Sequence, residues 1–133
     1  MIQKNKFEVN NISKDSLRKE FLQIRESMKK SQITNLNVKL YNNLKQIIDF
    51  KNIKRISTYM AKDNEVQTDL LIKDALEQDI IIIIPVLKPN HQLCFTEINQ
   101  FTTFHHNKLG ILEPTKNCIN YTSGINVDLV IVP

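Results

Sequence analysis

Two glycines and four prolines are few for 133 residues, and tryptophan is absent. A sandwich or barrel of many short strands needs a Gly- or Pro-marked turn about every ten residues, so that architecture is excluded and helices must carry much of the fold. Cysteine is scarce: Cys94 and Cys118 are the whole supply, and Met1 to Asn11 is polar and mixed rather than an apolar leader. Neither a disulfide framework nor secretion is expected, and a reducing cytoplasm is the default location. Long apolar runs are missing too. The longest, Ile80 to Leu87, is far short of the roughly 20 residues a bilayer crossing requires, so the chain is not expected to span a membrane.

What is present is the make-up of one folded domain. With 41% hydrophobic and 24% charged residues, disorder and fibrous architectures fall away, and the length leaves room for a single core. Residues 1–12 show no period and read as a loose tail, with one domain over 13–133. The net charge of +4 is unevenly spread: residues 1–55 hold 13 Lys and Arg against 5 acids, and residues 56–133 hold 5 against 9. A basic first half facing a mildly acidic remainder fits an anionic partner such as a nucleotide, a phosphorylated ligand or nucleic acid, and it equally fits an ordinary solvated face.

Ser13 offers a hydroxyl cap for a helix from Lys14 or Asp15 to about Lys30. Leu17, Phe21, Ile24 and Met28 fall on one helical stripe, which is expected to face the core. Ser31 caps a second helix, where Ile33, Leu36, Leu40, Leu44 and Ile47 repeat the spacing to about Asp49. From Arg55 the pattern changes to a strand, Ile56 to Met60, and a polar turn, Ala61 to Asn64. A short helix around Leu70 to Leu76 and five consecutive isoleucines, Ile80 to Ile84, closed by Pro85, complete a βαβ unit with parallel strands. Leu93 to Ile98 and Val127 to Val132 read as further strands, and Asn99 to Ser123 as irregular. The expected fold is α/β, a three-layer domain with a mainly parallel sheet flanked by helices.

One cationic constellation stands out. At 100° per residue Lys14, Arg18 and Arg25 lie within about 40° of one another beside the apolar stripe, where stems can pack while heads reach into a cleft. Arg supplies a bidentate fork and Lys a point charge, a combination suited to phosphate, although Lys-rich helices also place cations at such borders routinely. Glu65 lies in Asp63-Asn64-Glu65-Val66-Gln67-Thr68, just past the carboxyl end of the first strand. It is placed either to take a ligand's hydrogen bond or to be a surface acid in a turn. His91, Cys94, Cys118 and the pair His105-His106 lack the second tight pair of a zinc pattern, and no metal ligand is assigned. No nucleophile elbow, Walker loop or G-x-G-x-x-G is present.

Several short segments occur in a telling order: Lys14-Asp15-Ser16-Leu17-Arg18 with Arg25, Ile56 to Met60 followed by Glu65-Val66-Gln67-Thr68, Ile84-Pro85-Val86, Leu93-Cys94-Phe95, Gly110 to Pro114, and Asp128 to Pro133. From residue 14 onward the sequence resembles the 5-formyltetrahydrofolate cyclo-ligase family, also called 5,10-methenyltetrahydrofolate synthetases. That resemblance implies ATP-dependent conversion of 5-formyltetrahydrofolate to 5,10-methenyltetrahydrofolate, with Mg²⁺, ADP and phosphate as the other participants. In the family the formyl oxygen takes the γ-phosphoryl group, the neighbouring ring nitrogen attacks, and phosphate leaves. Carried onto this chain, Lys14 and Arg18 would contact ATP with Arg25 as a third, and Met60 and Glu65 would contact the folate. A monomer with no specific nucleic-acid partner is implied.

The sequence also departs from that pattern. Family members continue past the Val-Pro strand end into P-G-x-x-F-D-x-x-G-x-R-L-G and a glycine-rich G-x-G-x-Y-Y-D stretch, which wraps phosphates with backbone N–H groups. Neither occurs here. The expectation is a cyclo-ligase domain whose last part is missing, with Val127 to Val132 as an open edge, low stability and little or no turnover alone. A basic nucleic-acid or ribosome-associated module is the rival from another class, and a non-functional fragment is the third possibility.

Overall fold

A computed structural model describes residues 13–89, 92–115 and 126–133. The expected tail, His91 and Cys118 lie outside the described residues.

Helix α1, Lys14–Ser27, starts where the sequence places it: the Ser13 hydroxyl accepts from the Ser16 N–H at 3.1 Å, and Asp15 and Arg25 sit at the ends where the helix dipole favours them. Its apolar stripe is not core. Leu17, Phe21, Ile24 and Met28 are 36 to 59% exposed, and no residue of α1 is buried. Periodicity groups side chains on one face, but it does not say what covers that face. Among the described residues no element does.

Helix α2, Lys30–Ile47, begins one residue before the expected cap. Lys29 holds the cap position, its N–H donating to Gln32 Oε1 at 3.0 Å, while Ser31 lies inside the first turn. A 3₁₀ turn at Phe50–Asn52 leads into β1, Arg55–Ser57. Helix α3, Asp69–Glu77, then joins β1 to β2, Ile81–Leu87, and the two strands pair in parallel from Arg55↔Ile81 to Ser57↔Ile83. Strand β2 runs through Pro85 rather than stopping there. Because β1 pairs no further than Ile83, a residue without an N–H at 85 removes nothing from that side of the ladder.

Strand β3, Leu93–Ile98, returns antiparallel along β2 in the register Ile82↔Ile98 to Leu87↔Leu93. Part of the stretch expected to be irregular is a hairpin of β4, Phe104–His106, and β5, Leu112–Pro114. Its strands are three residues each, too short for alternation to register in sequence. The last strand, β6, is only Leu129–Val130, parallel to β1. Sheet order is β3-β2-β1-β6, a mixed sheet with a parallel half, as the α/β expectation requires.

Ile56, Ile82, Ile84 and Ile98 share one face of this sheet and pack with Leu71 and Ala75 of α3 and Tyr41 of α2. The Tyr41 hydroxyl donates to the Asp74 carboxylate and so ties α2 to α3. Burial first, and then that carboxylate, hold Tyr41 far above the ordinary phenol range. Cys94 is buried in β3 and disulfide-bonded, contrary to the expectation of reduced cysteines. Two cysteines in 133 residues carry no signal of such a bond in sequence.

Asp128 clamps the start of β6 to that of β1. Its Oδ2 accepts from the N–H groups of Lys54 at 2.7 Å and Arg55 at 2.9 Å, and those bonds hold the carboxyl below its ordinary range. A carboxyl depressed in the folded state stabilises fully above its unfolded value and loses that contribution as pH falls through the folded one. Thermal melts between pH 7 and 2.5 are therefore expected to show an acid-side decline that is smaller in Asp128→Asn. An identical decline in both proteins removes Asp128 as its source.

Candidate ligand site at the carboxyl end of the sheet

Strand β1 has β2 on one side and β6 on the other, both parallel to it. Strand order therefore reverses at β1. In open α/β sheets, ligands bind in the crevice beyond the carboxyl ends of the strands at such a point. The residues leaving β1 and β6 there, Tyr59 and Ile131 to Pro133, line a cavity of about 320 Å³ whose further wall includes Leu40, Leu44 and Leu71.

Two charged side chains face into this apolar space, Arg25 from the last turn of α1 and Glu65 from the loop between β1 and α3. Both also line an adjoining hollow of about 210 Å³ that includes Lys62 and Asp63. The site is thus two compartments, one apolar and one polar, joined at Arg25, Asn64 and Glu65.

The loop from Ala61 to Thr68 is held from several directions. Asn64 Nδ2 donates to the Arg25 carbonyl at 3.2 Å, which ties the loop to α1. The Gln67 N–H donates to Asn37 Oδ1 at 3.3 Å, which ties it to α2. The Tyr59 hydroxyl donates to the Val66 carbonyl at 2.7 Å, and the Thr68 hydroxyl donates to the Tyr59 carbonyl at 2.8 Å. Burial and then the charge of Glu65 raise the Tyr59 phenol above its ordinary range, so Tyr59 remains a neutral donor near neutral pH. Glu65 Oε2 accepts from the Lys62 N–H at 2.9 Å, and Oε1 has no partner among the described residues. The Arg25 guanidinium likewise has no ion pair among them.

Of the residues singled out from sequence, Arg25 and Glu65 meet at this cavity, while Lys14, Arg18 and Met60 line neither compartment. Lys14 and Arg18 lie on α1, about 16 Å and 10 Å along the axis from Arg25 at 1.5 Å per residue. Arg18 pairs with Asp15 at 3.0 Å in solvent. Met60 packs against the isoleucine cluster. The tethers Asn37, Asn64 and Gln67 and the wall residues Tyr59 and Lys62 were not singled out individually. Asn64 and Gln67 lie inside the quoted segment around Glu65, but nothing in α2 marks Asn37. Among the described residues, no group of three His, Cys, Asp or Glu side chains could hold a metal ion.

Residues 10–133 match the 5-formyltetrahydrofolate cyclo-ligase family. This chain belongs to that family. A 5-formyltetrahydrofolate cyclo-ligase from Haemophilus influenzae is 26% identical over 127 residues, which are 94% of this chain and 68% of the relative. The solution structure of Aquifex aeolicus 5,10-methenyltetrahydrofolate synthetase superposes with a TM-score of 0.73 at 25% identity, covering 90% of this chain and 59% of that one. A 5,10-methenyltetrahydrofolate synthetase from Mycoplasma pneumoniae shares the fold at a TM-score of 0.56 and 24% identity, covering 63% and 52%. The cyclo-ligase-like chain thus spans 59% and 52% of the lengths of these two solved relatives. No helix among its described residues is long and apolar enough to cross a membrane.

Proposed function

We propose that this chain binds 5-formyltetrahydrofolate and ATP at the two-compartment site and serves the conversion of 5-formyltetrahydrofolate to 5,10-methenyltetrahydrofolate. The observation that carries the proposal is the pair of unengaged charged groups, the Arg25 guanidinium and Glu65 Oε1, at the junction of an apolar and a polar compartment. The apolar cavity is at the small end of the roughly 300–1,000 Å³ range for organic ligands and suits one flat heterocycle. Glu65 Oε1 would accept from its ring N–H groups. Arg25 and Lys62 would meet the phosphates at the polar hollow, whose wall also carries the carboxylates of Glu26, Asp63 and Glu65, with Asp63 3.7 Å from the Lys62 ammonium.

In that arrangement the two ligands meet where Arg25 and Glu65 are adjacent. A phosphoryl group moving to the formyl oxygen gathers charge on its equatorial oxygens, and a positioned guanidinium stabilises that charge better than water does. The apolar wall around Tyr59 keeps water from competing. Lys14 and Arg18 would act further out, on phosphates that extend along α1, and Met60 would act on the folate only through packing beneath the loop.

Mg²⁺ finds no ligand set of its own among the described residues: the one carboxylate shared by the two compartments already accepts from the Lys62 N–H through one oxygen. The chain would act as a cytoplasmic monomer, a location that a reduced Cys94 thiol would support and its disulfide here does not.

Calorimetric titration tests the ligands directly. Saturable binding of 5-formyltetrahydrofolate, tightened by ATP, is expected, whereas folate binding that ATP leaves unchanged, or none at all, overturns the shared site. Appearance of the methenyl chromophore on mixing both ligands reports whether binding leads to turnover.

A further inference from the structure

Most side-chain donors on the wall of the apolar compartment are already engaged. The Tyr41 hydroxyl donates to Asp74, that of Tyr59 to the Val66 carbonyl, and that of Thr68 to the Tyr59 carbonyl. Asn64 Nδ2 donates to the Arg25 carbonyl, and Gln67 Nε2 donates to the Glu65 carbonyl at 3.1 Å. Two residues with donors remain, Arg25 and Asn37. Arg25 lines both compartments, whereas Asn37 lines the apolar one alone.

Asn37 stands on α2, and Leu40, Tyr41 and Leu44 follow it at three, four and seven residues, so a single helix face presents all four to the cavity. Its Oδ1 accepts from the Gln67 N–H at 3.3 Å. That bond fixes which way round the amide sits, because the NH₂ end cannot accept from an N–H. Nδ2 is the end left over, and it has no partner among the described residues. The same Gln67 whose backbone holds Asn37 reaches with its side chain to the Glu65 carbonyl. An unengaged donor, Asn37 Nδ2, and an unengaged acceptor, Glu65 Oε1, are thus carried by two segments that one residue ties together.

We propose that Asn37 is the residue by which this site selects an oxo-substituted ring over its amino counterpart, a role that rests on the folate reading of the site. A cyclic amide offers an N–H donor and a carbonyl acceptor on adjoining ring atoms, and the 4-oxo pteridine ring of 5-formyltetrahydrofolate is such a group. Glu65 would take its N–H edge, and Asn37 Nδ2 its carbonyl oxygen. An amino group in place of the oxo group sets donor against donor and leaves both unpaired in apolar surroundings. Sites built on hydrogen bonds discriminate most strongly in that situation. Asn37 binds the ring and takes no part in the phosphoryl or ring-closing steps.

Calorimetric titration of the 133-residue chain with 5-formyltetrahydrofolate and with its 4-amino-4-deoxy analogue tests this role. The parent is expected to favour the 4-oxo ligand by roughly 10- to 100-fold. Asn37→Asp keeps an oxygen for the Gln67 N–H and puts an acceptor where the amide had donors, so it is expected to remove or invert that preference. Asn37→Ala loses tether and donor together and is expected to bring the two affinities close to each other. A purely structural Asn37 would lower both affinities and leave their ratio as it is in the parent, and that result in the two variants overturns the proposal. A parent that binds both ligands alike overturns it without any substitution. If the parent binds neither ligand, the folate reading fails and the role of Asn37 with it; if 5-formyltetrahydrofolate binds with a preference that ignores Asn37, only that role fails.

Discussion

Ile84→Ala is expected to destabilise the fold by about 2–5 kcal/mol, a large part of the roughly 5–15 kcal/mol that holds a typical domain together. Ile84 is 0% exposed in the middle of β2 and belongs to the isoleucine face that packs under α3. Removing most of its side chain gives up transfer free energy and leaves a void lined by neighbours that cannot close in: Ile56 and Ile82 are pinned by the parallel ladder, and Ile98 by the antiparallel one. Ile82→Ala is expected to act alike. Ile47, 82% exposed at the end of α2, is the control, and its alanine variant should fall within about 0.5 kcal/mol of the parent. Urea unfolding measures all three. A loss below about 1 kcal/mol at Ile84, or an equal loss at Ile47, would show that the sheet face is not the core described here.

The elements that were legible in sequence are those in which one local pattern decides the outcome. The run of five isoleucines fits a strand buried on both faces, and its last four open β2, with Ile82, Ile83 and Ile84 fully buried. Ser13 capped α1 as its hydroxyl predicts. Leu93 to Ile98 alternated enough to be read with the bounds that β3 has. Failures came where the deciding partner is remote. The stripe on α1 has the spacing of a core face, yet burial depends on a covering element, and none is present among the described residues. The β4–β5 hairpin depends on Asn107 and Glu113, whose hydrogen bonds form only once the turn is closed. At the ligand site, Arg25 and Glu65 were visible by residue type, but Asn37 was not. Its role depends on α2 lying beside a loop 30 residues away.

Arg25→Ala is expected to weaken ATP binding by roughly 10- to 100-fold, the loss that follows when a hydrogen bond to a charged group is removed. Arg25→Lys keeps the charge but loses the two-pronged geometry and should recover only part of the affinity. Glu65→Gln separates charge from shape on the folate side: the amide oxygen can still accept from the Lys62 N–H, so the loop keeps its turn, while the ligand faces a neutral acceptor. It is expected to reduce 5-formyltetrahydrofolate affinity by about tenfold without altering ATP binding measured alone. Arg18→Ala is the discriminating control, because Arg18 is paired with Asp15 in solvent and lines neither compartment. A small effect there, beside a large one at Arg25, places the phosphates at the compartment junction. Equal losses at Arg18 and Arg25 would mean that the phosphates lie along the whole α1 stripe, with the cavity between β1 and β6 serving the folate alone.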